Sequence, residues 1–543
     1  MAVQIIPTSP FSGQKPGTSG LRKKVAVFQQ PHYLENFIEA IFRAVPALQG
    51  GTLVLGGDGR FHNDAAVQTI VRMAAAHGVA RLLIGRHGLL STPAVSHLIR
   101  RHGADGGIVL SASHNPGGPD GDFGVKFNAA NGGPAPEALT EAMYAISQTL
   151  EHYRSSDAAA IDLASVGLQH CEAMQVEVID PVADYAALMQ TLVDFDAIRA
   201  WLAGGKRVRF DAMHAVGGPY AVHIFEDLLG APLGSVRNAA PQPDFAGGHP
   251  DPNPLYAADL VAAMQGPQAP DFAAAFDGDA DRNMIVGRDM VVSPSDSLAV
   301  LAANARLLPQ FAAGLPGVAR SMPTSRAVDV VADKLGFDCF ETPTGWKFFG
   351  NLLDAGRIAL CGEESYGTGA SHVREKDGIW AALCWLNLLA VRQQSVAEIM
   401  EMHWAQFGRH YYSRHDYEGL SSETGAAVMA GLRSRLAGLP GTVVSGLLVN
   451  AADDFAYTDP VDGSVSSMQG VRVEFDGGAR AVFRLSGTGT EGATLRVYLE
   501  RYVAGPDGLA QETQAALAEV IAAARELAAI EALAGRTQAD VIT

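Results

Sequence analysis

Four short apolar runs in this chain end in turns rich in glycine and charge. Thr52-Leu53-Val54-Leu55 leads into Gly56-Gly57-Asp58-Gly59-Arg60, and Gly107-Ile108-Val109-Leu110 leads into Ser111-Ala112-Ser113-His114-Asn115-Pro116. Phe272-Ala273-Ala274-Ala275-Phe276 leads into Asp277-Gly278-Asp279, and Arg357-Ile358-Ala359-Leu360 into Cys361-Gly362-Glu363-Glu364-Ser365. Runs of this kind, followed by polar turns and then helical patterns, predict α/β units with mainly parallel pairing. Ligands of such sheets sit beyond the carboxyl ends of the strands, where all four turns fall. The longest apolar run, residues 379–391, is interrupted by Asn387 and reads as a buried helix too short to span a membrane. Residues 443–450 and 471–475 alternate as strands do, and 515–533 reads as an alanine-rich closing helix. Joins between domains are expected near 181–192, 307–316 and 393–395, where the pattern breaks. No short-period repeat is visible, so any duplication among the first three segments would be one of topology.

Length and charge narrow the picture. At 543 residues the chain exceeds a single core, and about 150 residues per domain suggests three or four domains. Hydrophobic residues at 48% and charged residues at 18% are globular values. A net charge of −18 argues against nucleic-acid or anionic-membrane partners, which need a basic surface. An anionic small molecule remains possible if the few basic groups are gathered in one place. The four cysteines are far apart and form no C-x-x-C pair, so structural zinc and a disulfide framework are not expected, as suits a reduced cytosol. Residues 1–11 show no signal-peptide pattern, and a soluble protein is expected.

The chemistry concentrates in the turns. In an extended segment, side chains at i, i+2 and i+4 point the same way, so Asp277, Asp279 and Asp281 converge. Three close anions repel unless a hard divalent cation joins them, and Mg²⁺ commonly leaves a position for a phosphate oxygen. Arg282 beside them could hold that anion. Ser113 is either an exposed nucleophile or a helix cap, and the local sequence does not choose. His114 and Lys126 are likewise either acid–base groups or ordinary polar side chains. The segment Arg484-Leu485-Ser486-Gly487-Thr488-Gly489-Thr490, with Arg496 beyond it, suits an anion cradle of backbone N–H groups, hydroxyls and guanidinium, or else a plain hairpin. Glu363 and Ser365 suit vicinal sugar hydroxyls, Thr344 and Gly345 offer a turn beside Trp346, and Lys376 is either a phosphate contact or half of a solvated pair with Glu375.

Taken in order, these segments resemble the α-D-phosphohexomutase superfamily, and closely its glucose-specific branch. The series begins at Lys15-Pro16-Gly17-Thr18-Ser19-Gly20-Leu21-Arg22 and continues through 56–63, the Ser113 loop, 277–282, 343–354, 361–367, 374–382 and 484–498. The resemblance implies three related mixed α/β domains plus a C-terminal α+β domain around a central cleft. Boundaries are expected at 1–186, 187–305, 306–394 and 395–543. It implies that Ser113 carries a phosphoryl group, with Mg²⁺ held by Asp277, Asp279, Asp281 and that group. Glu363 and Ser365, with Thr344 and Gly345, would hold the sugar. Arg484, Ser486, Gly487, Thr488 and Arg496 would bind the phosphate that is not reacting. Arg22, His114, Lys126, Arg282 and Lys376 would surround the reacting one, with Lys126 and Lys376 moving protons. The implied reaction interconverts glucose 1-phosphate and glucose 6-phosphate through glucose 1,6-bisphosphate, in the cytoplasm, by a monomer or weak dimer whose partners are small sugar phosphates. Alternatives are a relative acting on mannose or glucosamine phosphates, a non-catalytic relative, and a metal-dependent phosphatase.

Overall fold

The computed structural model describes residues 3–17, 19–486 and 492–543. Three sheets in the first three-quarters of the chain share one plan. In the first, the strand Thr52–Gly57 is flanked in parallel by Arg81–Leu89 and Gly106–Leu110, and Asp122–Ala129 then returns antiparallel along Gly106–Leu110. In the second, Val208–Asp211 lies parallel between Val236–Arg237 and Phe272–Phe276, and Asn283–Gly287 returns antiparallel. In the third, Gly317–Ser321 lies parallel between Asp338–Thr342 and Leu360–Glu363, and Gly367–Ala370 returns antiparallel. The duplication that the sequence conceals is therefore one of topology.

This plan corrects the expected course of three turns. Only the turn after Thr52–Gly57 leads into a helix, Asn63–Ala76. The turns carrying Ser113, the aspartates and Glu363 are followed by an antiparallel strand, so Ser113 caps no helix. Apolarity explains the central strands: every residue of Gly106–Leu110 and of Phe272–Phe276 is buried, as befits strands covered on both faces. The helix Gly378–Arg392 is buried nearly all round and packs on Asn283–Gly287 and Gly367–Ala370, tying the second sheet to the third. One apolar core runs through the first three units, from Val54 to Phe407.

The last unit differs. Among the described residues its main sheet has seven strands, all paired antiparallel, with Ala479–Ser486 and Arg409–Leu420 on either side of Ala493–Val503, and it has its own core. The expected closing helix is three pieces, Thr513–Ala516, Ala518–Leu527 and Ile530–Ala534, interrupted at Leu517 and at Ala529, whose φ is +46°.

Candidate active site

Because the three sheets repeat one plan, the same turn recurs three times, between the last parallel strand and its antiparallel partner. Those turns carry Ser113, the three aspartates and Glu363, and all face one cavity of about 1050 Å³. The fourth unit closes it with Arg484, Ser486 and Arg496. Of the other residues picked from sequence, Arg22, His114, Lys126, Arg282, Thr344, Gly345, Ser365 and Lys376 also line this space. Gly487 and Thr488 lie outside the described residues.

Ser113 and Asp277, 2% and 0% exposed, are buried beside the cavity-lining residues Ser111, His114, Asp279 and Asp281. The Ser113 hydroxyl donates to Asp277 Oδ2 at 2.8 Å, and His114 Nδ1 lies 3.4 Å from Ser113 Oγ. Asp277 Oδ1 accepts the backbone N–H groups of Asp281 and Arg282, which closes the aspartate turn. Gly278 allows the two loops to meet, since a Cβ there would lie 2.3 Å from the Ser113 carbonyl oxygen. One carboxylate oxygen from each of Asp277, Asp279 and Asp281 lies within 4.8 Å of the other two. Thr92 donates to Asp279 Oδ2 at 2.6 Å and Lys376 Nζ lies 3.0 Å from Asp281 Oδ2. Oδ1 of Asp279 and Oδ1 of Asp281 are buried without a hydrogen-bond partner. Burial, then the charges of Asp279 and Asp281, push the Asp277 carboxyl well above the usual range. Crowded anions with spare oxygens fit a hard divalent cation.

The basic groups sit around this cluster. Burial and the neighbouring Arg282 and Arg22 hold His114 well below its ordinary value, so its imidazole is neutral at pH 7. Burial works most strongly against the Lys376 charge, but Asp281, Glu363 and Asp277 together outweigh it and raise the ammonium. Lys126 reaches Glu375, which also accepts from Asn128 Nδ2 at 2.9 Å. Arg282 lies 3.4 Å from Asp251 and 3.9 Å from Asp277. Opposite, Glu363 accepts the Gly345 N–H at 3.0 Å, and burial raises its carboxyl. Nε atoms of Arg22, Arg282 and Arg496, and Thr344 Oγ1, are buried here without a hydrogen-bond partner. Buried polar atoms are normally satisfied, so their gathering in one cavity marks a place built for a polar, anionic ligand.

Several cavity residues carry no local sequence signal. Asp251 and His249 come from a proline-rich loop, with His249 stacked on Tyr256 at 4.1 Å. Arg414 and Asp416 stand two apart on the strand Arg409–Leu420, which puts both on one face. Asp416 lies 3.1 Å from Arg414 and 3.8 Å from Arg496. Neither Arg414 Nε nor Asp416 Oδ1 finds hydrogen-bond geometry, so the contact is one of charge. An alternating Arg-x-Asp inside a strand was the available clue.

Known proteins agree with this arrangement along the whole chain. Three models of the phosphoglucomutase/phosphomannomutase family, its alpha/beta/alpha domains I, II and III, match residues 13–154, 183–290 and 294–407. A model of the phosphoglucomutase-1 C-terminal domain matches 409–540. The chain is 58% identical to a phosphoglucomutase of Rhizobium radiobacter, covering 100% of both. It is 50% identical to a cytoplasmic phosphoglucomutase of Pisum sativum, covering 100% of this chain and 99% of that one. Among solved structures, pp63/parafusin of Paramecium, a phosphoglucomutase in an open form, superposes with a TM-score of 0.92 at 48% identity, covering 100% and 99% of the two chains. With four family domains in order and full-length relatives of this identity, the chain belongs to the phosphoglucomutase/phosphomannomutase family, in its phosphoglucomutase branch.

Proposed function

We propose that this enzyme interconverts α-D-glucose 1-phosphate and glucose 6-phosphate through a phosphoryl group carried on Ser113. The observation that carries the reading is the Ser113 hydroxyl, 2.8 Å from one of three clustered aspartates, two of which line the same cavity as Arg484 and Arg496. Two phosphates can thus be held at once, one at the serine and one at the fourth unit.

In the first half-reaction the bond from phosphorus to Ser113 Oγ breaks and a bond to O6 of glucose 1-phosphate forms. The O6 proton leaves, and Ser113 Oγ takes a proton as it is released. The bisphosphate turns over, its 1-phosphate returns to Ser113, and glucose 6-phosphate departs. Asp277, Asp279 and Asp281 would hold Mg²⁺, which supplies positive charge to the transferring phosphoryl. Arg22, Arg282 and Lys376 gather positive charge around that phosphoryl, where fixed charge counts most. Lys376 stands protonated beside Asp281 and so is suited to giving a proton, and Lys126, paired with Glu375, is the second proton carrier. Glu363 and Ser365, with Thr344 and Gly345, orient the sugar hydroxyls. Arg484, Ser486 and Arg496 hold the idle phosphate, a role the sequence also assigns to Gly487 and Thr488. Closing the cavity keeps water from the phosphoserine.

Glucose is preferred to mannose or glucosamine because the full-length relatives are phosphoglucomutases. A cytoplasmic location follows the cytoplasmic relatives, and no described helix is long and apolar enough to cross a membrane. The test is turnover of glucose 1-phosphate primed with glucose 1,6-bisphosphate. Ser113→Ala is expected to lower kcat by at least about a thousandfold, as loss of a covalent nucleophile does. Wild type should release no net inorganic phosphate and should use mannose 1-phosphate less well. Retained mutase activity in Ser113→Ala would overturn the reading.

A further inference from the structure

The turn Asp58-Gly59-Arg60 does not itself line the cavity used above, and both charged residues are 1% exposed. A buried ion pair repays its lost solvation only when its remaining donors and acceptors are satisfied. Here they are satisfied by the nucleophile loop. Arg60 Nε donates to Asp58 Oδ2 at 2.9 Å, its Nη1 to the Asp122 carbonyl at 2.9 Å, and its Nη2 to the Ser113 carbonyl at 2.6 Å. Asp58 Oδ2 also accepts the Ser111 hydroxyl at 2.6 Å, and Ser111 Oγ accepts the Ser113 N–H at 2.7 Å. Both main-chain polar groups of Ser113 therefore lead back to one ion pair.

Ser113 needs such a hold. Its φ is +52°, in the left-handed region that a residue with a side chain adopts only when its surroundings enforce it. The far side of the Arg60 guanidinium rests over the Phe245 ring at 5.2 Å, and Phe61 N–H donates to the Pro243 carbonyl at 2.8 Å. Both contacts come from the second unit. Arg60 thus stands at the seam across which Ser113 must meet Asp277.

We infer that Asp58, Arg60 and Ser111 are positioning residues that fix the backbone of Ser113 so that its Oγ points at the aspartate cluster. The role rests on the reading that Ser113 carries the phosphoryl group. It implies that phosphoryl transfer to and from Oγ proceeds while N–H and C=O of Ser113 stay clamped.

The experiment measures kcat and KM for glucose 1-phosphate, with glucose 1,6-bisphosphate present, on the full chain and on Arg60→Lys, Ser111→Ala and Asp58→Asn. Lysine keeps the charge but cannot span three acceptors. Arg60→Lys and Ser111→Ala are each expected to lower kcat by about tenfold or more with KM within about threefold, because the sugar and idle-phosphate contacts lie elsewhere. Asp58→Asn weakens both the hold on the Ser111 hydroxyl and the ion pair with Arg60, so it should cost at least as much as Ser111→Ala, and the double variant should lose little more than Asp58→Asn alone. A merely structural role predicts losses that follow the folded fraction, with additive effects and no split between kcat and KM. If Arg60→Lys does not fold, Ser111→Ala, which removes a single oxygen, decides. Wild-type kcat in Ser111→Ala, with Ser113→Ala inactive, would overturn this assignment alone. Activity in Ser113→Ala would instead overturn the function on which it rests.

Discussion

Glu375 and Lys376 are adjacent in the chain but pair with different partners, Lys126 of the first unit and Asp281 of the second. Read locally, Glu-Lys is a solvated surface pair. Burial changes that, since Glu375 is 1% exposed and each side chain must find its counter-charge elsewhere. The aspartates were legible as a cluster, but a tight turn with Ala280 at φ +60° brings them together, not the alternation of an extended segment that the spacing suggested. Asp251 and Arg414 were not legible, because each acquires meaning only from a partner far along the chain. Asp277 offers a test at this scale. Burial and two like charges disfavour its anion, so Asp277→Asn should leave the metal-free chain as stable as wild type or more so. The same change should weaken Mg²⁺ binding by about tenfold or more, since a hard cation loses one charged oxygen ligand. Thermal melts in chelator and a Mg²⁺ titration check the two halves. A lower melting temperature with unchanged Mg²⁺ affinity would contradict both.

The element that matters most is the turn between a parallel strand and its antiparallel return. Sequence located these turns but not the return, because an apolar run gives a strand's burial and not its direction. The Ala-rich segment shows the same limit: helix propensity runs unbroken through 515–533, yet fully buried Leu517 and left-handed Ala529 break it to suit packing. The meeting of two such turns predicts a specific vulnerability. An alanine at Gly278 would place its Cβ 2.3 Å from the Ser113 carbonyl oxygen, and that oxygen is pinned by Arg60. Gly278→Ala should cost about 1–3 kcal/mol of stability as an overpacking change, and lower kcat by about tenfold or more. Chemical denaturation and steady-state kinetics measure these. Unchanged kcat would mean that the two loops are not in register for transfer.

At the scale of the molecule, a chain of net charge −18 gathers Arg22, Lys126, Arg282, Lys376, Arg414, Arg484 and Arg496 into one cavity. Acidity outside and positive charge within are compatible, because a cleft focuses the field of its own lining. The fourth unit is tied to the third by Arg480, which lies 2.7 Å from Glu500 and donates to the Met322 and Thr324 carbonyls. Stability should fall on acidification. Burial lowers His97 and His403 to about 4, whereas in the unfolded chain they protonate near 6.5. Above that value both states are neutral. Below it the unfolded chain binds the extra protons, so stability drops as pH falls from about 6.5 toward 4, by about 2 kcal/mol per histidine at pH 5. Urea unfolding at pH 7 and pH 5 should show a smaller drop for the His97→Gln/His403→Gln double variant than for wild type, and equal drops would contradict the assignment. The account's central claim is that Ser113 carries the phosphoryl group between substrates. Its most direct test is intact mass with fragmentation after incubation with glucose 1,6-bisphosphate. The account predicts one added phosphoryl group, on Ser113, lost when excess glucose is supplied as acceptor. Full mutase turnover with Ser113 unmodified throughout would contradict it.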